Sequence, residues 1–365
     1  MFGRQGMNIH MKFIWVLIIC GCMATPLLAE VFTSLSLQEG YNSNIYYNST
    51  EKSSSVTSFS SDLIFYPSDA VELSIFGDYI FYPSANELSN YLLGGSFTFI
   101  PTDDYSKSKI TIYTTGSTLR YQDIFEIYSN NYAGASCSWQ YSLTPAITIS
   151  SGVSANYFDY PNTEAVTDFN YSFFGGFNVT FLKNNALNFD ISYLEQEFSY
   201  NTFDTIGSFQ RLRPVENKDT FSSTDYSVRF SRPLDIRTGF NCSYQKRSFD
   251  ANQEFTYTGF ELDYLSPVAS LWNGDMYSAG LKRFLPFQII GNLKMTYTEK
   301  TYTQISDFKR VDIRRSADIN LQKTYLSENR MIIPQLQVRY LSQSSTFNLY
   351  DYSLIDLSLS ATLMF

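Results

Sequence analysis

Charge that could act on a ligand gathers in the second half of the chain. Arg229, Arg237, Lys282, Lys294, Arg314 and Arg339 share the polar faces of alternating segments, with Asp312, Asp318 and Asp356 among them. Such groups attract, repel and orient charged solutes without making or breaking a bond. Bond-making partners are scarce. His10 is the only histidine, and it lies in a segment that reads as a removable leader. Ser-His and Asp-His mechanisms and histidine-containing zinc sites are therefore not expected. Cys137 and Cys242 sit far apart on apolar faces and read as packing residues rather than a disulfide or a metal pair. Gly94-Gly95 and Gly175-Gly176 fall inside alternating segments, where glycine allows curvature or close packing rather than cradling a phosphate. A Ser-Lys or paired-carboxylate mechanism, with Glu195 and Glu197 on one side of a segment, is the enzymatic route left open. The expectation is a non-enzyme with no cofactor and no metal.

The elements that must position these charges are strands. In the final run LIDLSLSATLMF, Leu357, Leu359, Ala361, Leu363 and Phe365 fall on one face, and Asp356, Ser358, Ser360 and Thr362 on the other. Successive side chains of a strand point to opposite sides, so the segment has an apolar face and a wet face. The stretch 167–182 does the same: Phe169, Tyr171, Phe173, Phe177, Val179 and Phe181 alternate with Asn170, Ser172, Asn178 and Thr180. Composition agrees, with 29 Tyr, 31 Phe and only 17% charged residues. Tight turns recur at Tyr66-Pro67-Ser68-Asp69, Thr144-Pro145, Lys183-Asn184-Asn185, Pro233-Leu234-Asp235 and Ser327-Glu328-Asn329, where Pro, Asn and Asp suit turn dihedrals. Longer polar connections separate them, the longest at 201–220 and 250–274, between strands expected at 186–200, 221–232, 236–249 and 275–284. These two are the connections long enough to fold inward, with an exterior binding loop as the alternative for either.

At the other end, Lys12 precedes the uncharged run FIWVLIICGCMATPLLA, which closes on Ala29 before Glu30. A basic flank, an apolar stretch too short to span and a small residue before the first acid describe a secretory signal over 1–29. A lipoprotein signal ending at Cys22 is the alternative, and Leu27 is larger than a cleavage site favours. The formal charge of −9 becomes more negative by the loss of Arg4 and Lys12 with the leader. That balance argues against a nucleic-acid partner.

A terminal Phe preceded by apolar residues at every second position resembles the C-terminal signal of bacterial outer-membrane β-barrel proteins. The resemblance implies an all-β fold: one antiparallel up-and-down transmembrane barrel over 30–365, of about sixteen strands, with fourteen or eighteen as neighbouring even counts. It also implies that the run ending at Phe365 is read by the barrel-assembly machinery, that outer-membrane lipids and lipopolysaccharide surround the outer face, and that the short turns are periplasmic. Outward Arg120, Arg283, Arg315 and Lys323 lie near strand ends, where mid-membrane costs of roughly 2–4 kcal/mol are avoided. In the first half the inward face reads as mostly Ser, Thr and Asn; the second half carries the basic wall and its three acids. A porin-like, passive path for small hydrophilic solutes across a Gram-negative-type outer membrane is the expected function. Gly40-Tyr41-Asn42-Ser43-Asn44-Ile45-Tyr46 resembles the opening of barrels found with exopolysaccharide export or surface sorting. The alternative is therefore a non-conducting barrel whose loops serve adhesion or polysaccharide secretion. Oligomeric state is left open.

Overall fold

The computed structural model describes residues 30–49, 51–102, 106–162, 166–182, 184–206, 211–251, 272–302, 310–327 and 330–365. The expected leader lies outside these residues, as does most of the expected connection 250–274.

Seventeen strand segments form one sheet: β1 (Glu30–Asn42), β2 (Ser54–Ser68), β3 (Val71–Phe81), β4 (Asn90–Phe99), β5 (Ser108–Tyr121), β6 (Asn130–Thr144), β7 (Ile147–Tyr160), β8 (Val166–Phe181), β9 (Asn185–Ile206), β10 (Arg211–Pro233), β11 (Thr238–Ala251), β12 (Asn273–Phe284), β13 (Ile289–Tyr302), β14 (Arg310–Lys323), β15 (Tyr325–Ser327), β16 (Arg330–Ser345) and β17 (Tyr352–Met364). The short β15 continues β14 past Thr324, and both pair with β16, so the wall has sixteen staves. Every neighbouring pair is antiparallel, and β1 pairs with both β2 and β17. The sheet is closed. Thr33 and Phe365 exchange backbone hydrogen bonds of 2.8 and 3.0 Å at the seam.

Alternation decides the two faces. Residues directly opposite in a ladder share a face, so the parity of one strand propagates around the ring. Leu37, Met295 and Leu359 are among the most exposed apolar side chains of the strands, at 53, 54 and 62%. They stand on the outer face, and a continuous apolar surface of this kind calls for hydrocarbon rather than water. Exposed Tyr41, Tyr79, Tyr91, Tyr157, Tyr277 and Tyr340 ring the outer face toward the loop rim. Trp139, Phe181 and Phe365 ring it toward the turn rim. Two such girdles mark the borders of a membrane band. No helix among the described residues is long and apolar enough to cross a membrane. Cys137 and Cys242 are unbonded, on the outer parity of β6 and β11.

The connection 201–220 corrects the expected loop. β9 runs on to Ile206 and β10 starts at Arg211, paired continuously from Arg211↔Ile206 downward. β8 leaves β9 at Ser199, and β11 leaves β10 at Phe221. What remains is a two-stranded ribbon standing beyond the rim rather than a segment folded inward.

Candidate functional site

The lumen wall is the candidate site. Its inner parity carries Arg229 on β10, Lys282 on β12, Lys294 on β13, Arg314 and Asp312 and Asp318 on β14, Arg339 on β16 and Asp356 on β17. Arg237 differs from the expected wall position. It precedes β11 in the turn after β10, exposed, with its backbone N–H donating to Asp235 Oδ1 at 2.6 Å. That turn hydrogen bond lowers the Asp235 pKa.

Two lateral rows organise the charges. In the first, Lys294, Asp318, Arg339, Asp356 and Asn42 face one another in turn across β13, β14, β16, β17 and β1. Sign alternates along it, and Arg339 Nε donates to Asp318 Oδ1 at 2.7 Å. Opposite charges directly across strands contribute roughly 0.2–1 kcal/mol a pair. In the second, nearer the loop rim, Asp225, Arg247, Gly274, Lys300 and Asp312 follow one another. Arg247 clasps Asp225 with two bonds, of 2.8 and 2.7 Å. The middle place must be glycine, because a Cβ at Gly274 would meet the Glu299 carbonyl. The indole of Trp272 stands between the flanking cations instead, 4.8 Å from the Arg247 guanidinium and 5.0 Å from Lys300 Nζ.

Asp312 is inward yet buried, at 1% exposure. It accepts from Arg310 Nε at 2.9 Å and from Ser345 Oγ at 2.6 Å. Arg310 in turn lies 4.5 Å from the Tyr302 ring and 3.3 Å from that of Tyr350. This knot fixes the rim rather than offering charge to a solute. Arg310 was missed because it begins its strand beside a polar connection. By contrast, Arg229, Lys282, Lys294 and Arg314 have no carboxylate within 4.0 Å among the described residues.

The opposite wall is less neutral than expected. Neutral ladders are present: Ser74 with Ser96 at 2.9 Å, Ser154 with Ser172 at 2.7 Å, and Asn156 Nδ2 donating to Asn170 Oδ1 at 2.9 Å. Asp62, Glu72, Asp78 and Asp190 also point inward, on the parity of Ser60, Ser74 and Ser192. Asp62 continues the alternation of Ser58 and Ser60 on β2, and that spacing is the signal that could have found it.

Among the described residues, the connection after β1 turns onto the inner wall, whereas 252–271 of the second long connection lie outside them. Ile45, at 2% exposure, packs with Ala85, Leu88, Phe125 and Tyr128 from the next two connections. Tyr47, at φ 52°, lies against Leu341, Tyr352 and Leu354 on the inner wall of β16 and β17. Burying a side chain such as Ile45 contributes about 1.5–3 kcal/mol, which holds a connection lacking strand structure. A clasp secures the same loop: Tyr46 donates to Glu87 Oε1 at 2.5 Å, and Lys52 Nζ reaches Tyr46 Oη at 3.2 Å and Glu87 Oε1 at 3.4 Å. Burial and the bond to Glu87 raise the Tyr46 pKa, and the bond from Tyr46 lowers that of Glu87. Burial pushes Tyr82 up to about 12, with Tyr47, Tyr121 and Asp356 adding to the effect. The loop cluster therefore lies within electrostatic reach of the lower charged row.

No family model matches the chain, and no curated protein matches it. Among solved structures, OccAB3 of Acinetobacter baumannii aligns with a TM-score of 0.51 at 10% identity, covering 92% of this chain and 99% of that one. OccAB1 of the same organism gives 0.49 at 11% identity, covering 92% and 96%. The outer membrane protein OpdK of Pseudomonas aeruginosa gives 0.44 at 12% identity, covering 92% and 99%. The likeness to OccAB3 is one of fold.

Proposed function

We propose that this chain is a passive outer-membrane pore for small hydrophilic solutes. The observation that carries the reading is the set of inward cations with no carboxylate within 4.0 Å among the described residues, Arg229, Lys282, Lys294 and Arg314. A charge buried without a partner costs several kcal/mol; four of them on one wall are tolerable where water fills the lumen. A wet lumen through a closed barrel conducts. Its basic stripe on β10 to β14, set apart from Asp62, Glu72 and Asp78 on β2 and β3, biases passage by charge. The leader over 1–29 delivers the chain, the run ending at Phe365 is read by the assembly machinery, and lipopolysaccharide meets the outer tyrosine girdle. Purified protein in planar bilayers tests the reading. Stable conductance is expected, with anion preference falling in Lys294→Gln and Arg314→Gln; a tight seal at every voltage overturns it.

A second reading is favoured by the inward loop cluster and the β9–β10 ribbon: a barrel with a covered mouth, working through its exterior in adhesion or polysaccharide secretion. The same bilayer measurement separates the two.

A further inference from the structure

Three inward glycines on one side of the lumen sit beneath aromatic side chains. Phe76 on β3 faces Gly94 on β4, and Phe174 on β8 faces Gly152 on β7. Tyr132 is two residues from Gly134 on β6, on the same face. A Cβ placed on Gly94 would lie 2.5 Å from Phe76 Cζ, and one on Gly152 would lie 2.7 Å from Phe174 Cε1. One on Gly134 would lie 2.8 Å from Tyr132 Cζ. Each aromatic ring thus occupies the space a neighbour's first side-chain carbon would fill. Strand side chains ordinarily stand away from the sheet. A ring in that space lies along the wall instead. Tyr132 is held down further by its hydroxyl, which donates to Asn156 Oδ1 at 2.7 Å, and by the Phe158 ring 4.8 Å from its own.

We infer that Gly94, Gly134 and Gly152 are seats that fold inward aromatic rings flat, and that these seats set the bore along the β3–β8 wall. The inference rests on the pore reading and names its size-determining residues. Phe76, Tyr132 and Phe174 are large, yet flattened they take little cross-section; lifted from their seats they would project toward the charged wall.

Gly134 gives the cleanest test, because the atoms nearest its hypothetical Cβ, on Tyr132 and Asn156, all belong to side chains. At Gly94 and Gly152 a backbone oxygen is also close, at 2.8 and 2.7 Å. Single-channel conductance and liposome swelling with a graded sugar series are compared for wild type, Gly134→Ala, Tyr132→Ala and the double variant, each first shown to be heat-modifiable on SDS gels. Gly134→Ala should lose conductance and admit smaller sugars only, Tyr132→Ala should match wild type, and the double variant should recover. Tyr132→Ala only removes atoms, so its arm remains informative if Gly134→Ala does not assemble. A Gly134→Ala pore identical to wild type, or a Tyr132→Ala pore that conducts more, overturns the seat. A wild type that seals the bilayer overturns the pore reading beneath it.

Discussion

Arg339 and Asp318 stand directly opposite each other on β16 and β14, and the guanidinium donates to the carboxylate at 2.7 Å in the middle of a row of alternating sign. Lys294 lies beyond Asp318 and Asp356 beyond Arg339. The Arg339 and Asp318 side chains are 37% and 23% exposed, so water screens the pair. Arg339→Gln should therefore change unfolding free energy by no more than about 1 kcal/mol, read by urea titration in micelles. Ion preference should respond far more. The variant leaves Asp318 and Asp356 flanking a neutral residue, and reversal potentials should move toward cations; Asp318→Asn should move them the other way.

The two faces of β17 give the sharpest contrast in cost. Leu359 is outward in the apolar band, whereas Ser360 is inward. Leu359→Lys should destabilise the barrel by roughly 2–4 kcal/mol, seen as lower yield of heat-modifiable protein in vesicles. Ser360→Lys should assemble normally. Equal losses for both would contradict the assignment of faces.

Tryptophan fluorescence reads the same geometry without changing charge. After residue 29 the chain has Trp139 and Trp272 only. Trp139 is outward and 39% exposed, while Trp272 is 8% exposed between Arg247 and Lys300. In Trp272→Phe protein, brominated acyl chains should quench the remaining emission. In Trp139→Phe protein they should leave it largely intact.

Acid should loosen the inward loop. The Glu87 pKa is lowered from an ordinary 4.5 by the Tyr46 hydroxyl, then by Lys52. A depressed carboxylate contributes its stabilisation above the unfolded value and loses it as pH falls through the folded one. Amide exchange in 43–49 should therefore be protected at neutral pH and accelerate below about 4.5. The Tyr46 and Lys52 pKa values are both raised, so their part of the clasp persists through neutral pH. Glu87→Gln should flatten the acid dependence.

Much of this fold was legible because lipid and lumen impose a period of two. The faces of β8 and β17 follow from that period, and the count of about sixteen from the period together with the recurring tight turns. Legibility ended where something other than lipid or water touched the chain. Leu341 and Leu354 are apolar yet inward, because Tyr47 covers them from a loop hundreds of residues away in sequence. The reach of β9 and β10 was missed because a ribbon beyond the rim has no hydrocarbon on either side, and so no reason to alternate. Asp62 and Asp78 were overlooked among serines whose parity they share. Arg237 was assigned by parity alone, which fails once the strand has ended.

The seam at Thr33 and Phe365 has a mechanical consequence. An open sheet unravels from its outermost strand, which is held along one border only. Here each stave is fastened along both borders, so no place exists for peeling to begin, and escape demands that two seams part together. A barrier of that kind slows unfolding more than it deepens equilibrium stability, so the folded barrel is expected to outlast detergent on a gel until it is boiled.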